Sequence, residues 1–197
     1  GPLPVDVTYI DKGVKATIDV TGDLTPSTLH IDPFKYKKPE GTAGELSLKV
    51  IMNGQDLEEV DNLQLKTKGF SLGDGRLLFR KFKDGSTDVS RGNIPKVTIG
   101  KTGVAVDFEI TPENLLKATA SGAVVDMAPF INTEKKPERW NKPQEKSERP
   151  MNISVSADKM LGDEGEALGR SKLYFETDNQ VDITRIEMDS KVGSGDM

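Results

Sequence analysis

Apolar and polar residues alternate with period two along the apolar stretches of this chain, and no stretch shows the three-four spacing of a helix long enough to cover a sheet. The pattern is clearest between Val60 and Phe82. There Leu63/Leu65 and Leu77/Phe79 alternate with polar neighbours, and Gly69, Gly73 and Gly75 lie between the two runs. Alternation of this kind specifies half-buried strands. The glycines stand where an antiparallel pair turns or bulges, because only Gly takes positive φ without a steric penalty. The same cadence returns at 14–24, 103–125 and 172–195, which reads as one architectural unit used several times.

Taken in order, Val5–Ile10 alternates, turns at Asp11-Lys12-Gly13, and continues with Val14, Ala16, Ile18 and Val20 on one face. A short strand is expected over 28–31, then a loop over 32–44. Leu46, Leu48 and Val50 form the next strand, ending at the Asn53-Gly54 turn signal. The acidic stretch from Asp56 reads as a loop, and Lys101-Thr102-Gly103 as a turn before the strand of Val104, Val106 and Phe108. Thr111-Pro112 has the form of a cap on a single helical turn, and Asp126 that of a cap on a short helix. Residues 132–150 carry ten charges and three prolines around Trp140, too little apolar surface to offset ordering, and read as a long exposed loop. Strands resume with Ile153, Val155 and Ala157, then Leu173 and Phe175. Ile186 and Met188 fall out of phase with Val181 and Ile183, so a bulge is expected near Arg185.

The expected fold class is therefore all-β, with few short helices. Many strands, each with one apolar face and no helical layer to bury it, leave three solutions: a sandwich, a barrel, or a curved trough whose apolar inside takes a ligand. Composition narrows the function instead. The formal net charge of −5, with both signs mixed along the strands, gives no basic footprint for nucleic acid and no polybasic membrane patch. There is no cysteine, hence no disulfide framework and no thiolate chemistry. Gly1-Pro2 resembles the scar of a cleaved tag. No apolar run reaches membrane-span length, so any anchor is expected outside these residues.

Residues that could carry chemistry are few and scattered. The single histidine, His30, has no second imidazole and no serine nucleophile motif nearby, so a triad or a His-rich metal site is not expected. Asp56, Glu58, Glu59 and Asp61 lack the loop spacing of a calcium site. Gly73-Asp74-Gly75 and Gly162-Asp163-Glu164-Gly165 do not open helices after strands, and read as turns rather than phosphate loops. The expectation is a protein that is not an enzyme and uses no metal or cofactor.

Several segments together resemble the AsmA-like family of Gram-negative bacteria, which includes the TamB- and YhdP-type proteins. They are ATIDVTGDL (16–24), KKPEGTAGELSLKV (37–50), NLQLKTKGFSLGDGRL (62–77), IGKTGVAVDFEI (99–110) and ASGAVVDMAPFI (120–131), followed after the Pro- and charge-rich break by 151–195. Phe34 and Tyr36 stand near a position where the family commonly has Trp. That family is similar to bridge-like lipid transfer proteins, and the resemblance implies the trough: an elongated, curved antiparallel sheet forming an open apolar groove. It implies repeat regions at 3–131 and 151–197 joined by the charged loop 132–150, and a periplasmic location with an inner-membrane anchor elsewhere in the protein. It also implies a passive role in phospholipid transport between inner and outer membranes, with acyl chains as the partner. The residues expected to line the groove are Ile18, Val20, Leu46, Leu48, Val50, Leu63, Leu65, Leu77, Phe79, Val104, Val106, Phe108, Leu173 and Phe175. The competing expectation is a closed β-sandwich that binds a partner or acts as a scaffold in an envelope protein.

Overall fold

A computed structural model describes residues 3–31, 36–82, 85–128, 149–162, 166–178 and 183–191. Fourteen strands account for the described chain: β1 (Val5–Lys12), β2 (Lys15–Asp23), β3 (Leu29–Ile31), β4 (Tyr36–Lys38), β5 (Gly44–Asn53), β6 (Asp56–Thr67), β7 (Phe70–Lys81), β8 (Thr87–Ile99), β9 (Thr102–Ile110), β10 (Leu116–Asp126), β11 (Met151–Leu161), β12 (Ala167–Leu168), β13 (Ser171–Thr177) and β14 (Ile183–Ser190). The fold is all-β. Its hydrogen-bonded order is β1-β2-β5-β6-β7-β8-β9-β10-β11-β13-β14, with β12 on β11 and β3-β4 as a separate two-stranded ladder. The order is a line and not a ring, with β1 and β14 as its ends. The long strands of each unit share one sheet.

Two compact units divide the chain. The first comprises Gly1–Gly100 with Ala105–Asp107, the second Lys101–Val104 with Phe108–Met197. The first is built from antiparallel hairpins with very short turns. β1 and β2 are joined by Gly13-Val14, and β5 and β6 by Gly54-Gln55. Each loop puts glycine first, at φ 84° and 61°, the backbone that the twist of a two-residue hairpin demands. Along β6 and β7 the ladder shifts register, and Asn62 and Asp74 take positive φ (50° and 56°). Asn and Asp tolerate that conformation, and such bulges bend and twist a strand. Gly73 and Gly75 thus lie inside β7 rather than at a turn. The β6–β7 reversal falls at Lys68-Gly69.

Three further expectations do not hold. The acidic stretch from Asp56 is not a loop but the start of β6, its charges neutralised across the sheet: Asp56 by Lys81, Glu58 by Lys15 and Glu59 by Arg76. Residues 32–44 are not all loop, because β4 pairs with β3. Val14 does not continue the apolar face. It sits in the turn, 74% exposed.

The second unit departs from an all-antiparallel sheet. β10 and β11 pair in parallel, Leu116 against Met151 through Asp126 against Leu161. Parallel neighbours need a long connection, and here it is 127–150, whose expected loop lies mostly outside the described residues. Thr111–Asn114 is a turn rather than a helical turn, with Asn114 at φ 66°. Asp126 does accept a bond from the Ala128 N–H at 3.1 Å, while the expected helix beyond it falls outside the described residues. The bulge near Arg185 is present: Glu176 pairs with Arg185 and Thr177 with Ile183, leaving Thr184 unpaired. A small core of Val125, Ala157 and Met160 is packed by Val104, Met127, Val155, Leu168 and Leu173.

Candidate functional site: two amphipathic sheet faces

Residues paired across a ladder share a face of the sheet, so the registers locate the apolar side chains of the paired strands. In the first unit three rows cross the strands: Val7–Val20–Leu48, Tyr9–Ile18–Val50–Val60–Leu77, and Leu46–Leu65–Leu72–Val97. Leu63 faces Gly75, and Phe79 faces Val89, on the same side. The opposite side carries Asp19, Lys49 and Asp61 in one row and Thr21, Ser47 and Gln64 in another, with Ile10, Ile51 and Leu78 as apolar residues among them. Ion pairs lie along this side: Lys49–Asp19 at 3.6 Å, Arg76–Glu59 at 2.6 Å and Lys96–Asp74 at 2.8 Å. Carboxylate bonds hold the Arg76 and Lys96 pKa values above their usual ones, Glu59 and Asp74 being the main causes. Exposed pairs of this sort add little stability. They keep the face wet.

In the second unit the rows are Met188–Leu173–Val155–Ala120 and Ile186–Phe175–Ile153–Ala118. Tyr174, Glu176, Arg185 and Glu187 take the other side. The Tyr174 hydroxyl donates to Glu176, which raises its pKa, and the Arg185 guanidinium lies 5.7 Å from the Tyr174 ring.

All fourteen residues expected to line a groove are half-buried. None is dry and none is free in solvent. The registers bring Ile18, Val20, Leu46, Leu48, Val50, Leu63, Leu65, Leu77 and Phe79 onto one face of the first unit, and Leu173 and Phe175 onto one face of the second. Val104, Val106 and Phe108 occupy alternate positions of β9, and Val104 packs on the second unit's core. Val7, Tyr9, Val60, Leu72, Ile153 and Val155 share these faces and were not expected to. Their alternation is visible in the sequence, but placing them requires the register.

One end of the first unit's apolar face is capped by the segment between β2 and β5. Tyr36 packs against Phe70 with ring centroids 5.4 Å apart and planes tilted by 35°, and donates its hydroxyl to the Lys68 carbonyl at 2.8 Å. Lys38 is 1% exposed, and its ammonium donates to the carbonyls of Leu24 (2.6 Å), Ser27 (2.7 Å) and Pro39 (3.4 Å). Its stem crosses Gly44 so closely that a Cβ there would lie 2.9 Å from the Lys38 Cε. Beside the cap, the Asp23 carboxylate accepts bonds from the hydroxyl and the N–H of Thr25, which hold its pKa below the usual 3.8.

No family model, curated protein or solved structure matches this chain.

Polar chemistry is sparse on both units. His30 is exposed on β3, and among the described residues no group of three His, Cys, Asp or Glu side chains could hold a metal. A depression of about 600 Å³ opens on the polar side of the first unit, where Asp6, Thr21, Ser47, Gln64 and Lys66 line it. It is not the apolar face.

Proposed function

We propose that the apolar sheet faces are a floor for phospholipid acyl chains, and that the chain is a periplasmic segment of an AsmA-like protein supporting phospholipid transport between inner and outer membranes. The observation that carries this reading is the burial pattern: cross-strand rows of Val, Ile and Leu on β2, β5, β6 and β7 that remain half-buried, backed by a charged opposite side. Such a face left against water is costly, and covering it with an alkyl chain recovers about 0.8 kcal/mol per CH₂. Uniform aliphatic lining suits sliding better than tight, selective binding, because no polar group fixes a position. In this reading no residue performs chemistry, and the Tyr36–Phe70 cap marks where an acyl chain on the first unit must stop.

A scaffold segment that merely spaces membrane domains is the second reading, and the ion-paired polar side serves it equally well. Two measurements separate them. Native mass spectrometry and lipid extraction of the purified chain are expected to find co-purified phospholipid, and a photoactivatable acyl chain is expected to crosslink. Leu65→Glu and Val106→Glu place a charge on half-buried positions. Both variants should stay folded by circular dichroism and lose the crosslink. Unfolding of the variants, with no crosslink in the parent chain, would describe a closed core and sink the proposal.

A further inference from the structure

Exposure of large apolar side chains concentrates on the end strands of the sheet. Val5, Val7, Tyr9 and Ile10 are exposed on β1, Val7 and Tyr9 at 60%, and Ile186 and Met188 on β14. The backbone of β1 has a definite phase. Asp23 N–H donates to the Pro4 carbonyl at 3.1 Å, so Pro4 is a hydrogen-bonded partner of the β2 end. In an antiparallel ladder such pairs alternate. Asp6, Thr8, Ile10 and Lys12 therefore bond to β2, while Val5, Val7, Tyr9 and Asp11 direct N–H and C=O away from it. The Gly13-Val14 turn, flanked by the pair Lys12–Lys15, sets the same phase. Every residue of β1 is exposed, no proline or bulge interrupts it, and its single lysine is at its end. Of the devices that blunt an edge it carries only the charges of Asp6, Asp11 and Lys12.

We propose that β1 is a strand-addition edge and that its occupant is β1 of a second copy of this chain, antiparallel about Val7. In that register Val7 faces the partner's Val7, Val5 faces the partner's Tyr9, and Asp6 faces the partner's Thr8. Apolar residues meet apolar residues, all outward backbone groups from Val5 to Tyr9 are paired, and no like charges oppose. The register centred on Thr8 instead sets Val5 against Asp11. Antiparallel addition of β14 fares worse. Aligning Val7 with Ile186 or with Met188 sets Asp6 against Glu187 or Asp189, and directly opposed like charges destabilise a ladder. The dimer is closed and two-fold, and the two apolar rows of the first unit that reach β1, through Val7 and Tyr9, continue into its copy. This inference stands apart from the lipid reading.

Sedimentation over a concentration series should show a reversible monomer–dimer equilibrium for the 197-residue chain. Val7→Pro deletes an N–H that points away from β2, so the fold should keep its circular dichroism and melting profile while self-association weakens by at least about tenfold. Should that variant fail to fold, Val7→Lys serves, since it opposes two ammonium groups across the two-fold. The chain has no cysteine. Val7→Cys should therefore give a disulfide-linked dimer on mild oxidation without background, and Thr8→Cys, on the opposite face and across from the partner's Asp6, should not. A parent chain that stays monomeric at every concentration overturns the proposal. So does a dimer indifferent to both Val7 substitutions, or an open-ended series of larger assemblies.

Discussion

The two units solve the same problem with different amounts of dry core. In the first, apolar rows cross up to five antiparallel strands, yet the large apolar side chains that become buried, Leu24, Phe70 and Val97, lie at or near the end where the Tyr36–Lys38 segment folds over. In the second, Met160 is 1% exposed and packs with Val125 and Ala157, and Met127 from the following connection and Leu168 from β12 pack against them. A one-layer sheet cannot bury its own face. Burial comes from whatever connection crosses it, so stability is concentrated at those crossings while the rest of the face is left for something else to cover.

The strongest test of this contrast sets Met160→Ala against Leu48→Ala. The first empties a fully buried site and is expected to cost about 2–5 kcal/mol in denaturant titration. Leu48 is half-buried, so the same truncation should cost less than half as much. Equal costs would mean that the first unit's face is a packed core, and the contrast would collapse. Lys38→Met tests the cap. It keeps the stem over Gly44 but removes the donor from the Leu24 and Ser27 carbonyls, with an expected loss of about 1–3 kcal/mol. A neutral result would show that the stem alone holds the segment down.

The smallest effect is electrostatic. Asp23 has its pKa held below 3.8 by Thr25, so the folded state favours the carboxylate. Its contribution is complete above the ordinary carboxylate range and disappears as pH falls through the lowered folded value. Asp23→Asn should therefore flatten the acid limb of a stability–pH curve and leave neutral pH little changed. An unchanged acid limb would remove Asp23 from the cap's account.

Much of the strand content was legible because period-two alternation is written locally: Leu46/Leu48/Val50 and Val104/Val106/Phe108 point to strands without knowledge of any partner. The lapses share one cause. Asp56–Asp61 looked like a solvated turn because four acids in six residues resemble one, and what makes it a strand is its pairing with β5 and β7, with Lys15, Arg76 and Lys81 meeting its acids from positions distant in sequence. Lys38 looked like loop charge, and only the carbonyls of Leu24 and Ser27 make it a clamp. Parallel pairing of β10 with β11 leaves no local mark at all. Of the candidate site, the floor residues were readable and their shared face was not, since a face is a property of register.

That parallel pair has a consequence for the order in which the chain assembles. Most neighbouring strands of the first unit are joined by two-residue turns, whereas β11 meets β10 only after the 127–150 connection has closed. Loop-closure entropy makes that step dearer than a hairpin by roughly 2 kcal/mol, and non-local pairing slows folding generally. The hairpins of the first unit should zip early, and β11 should dock late. Until it does, β10 is a temporary edge with unpaired backbone along Leu116–Asp126, open to capture by the wrong strand.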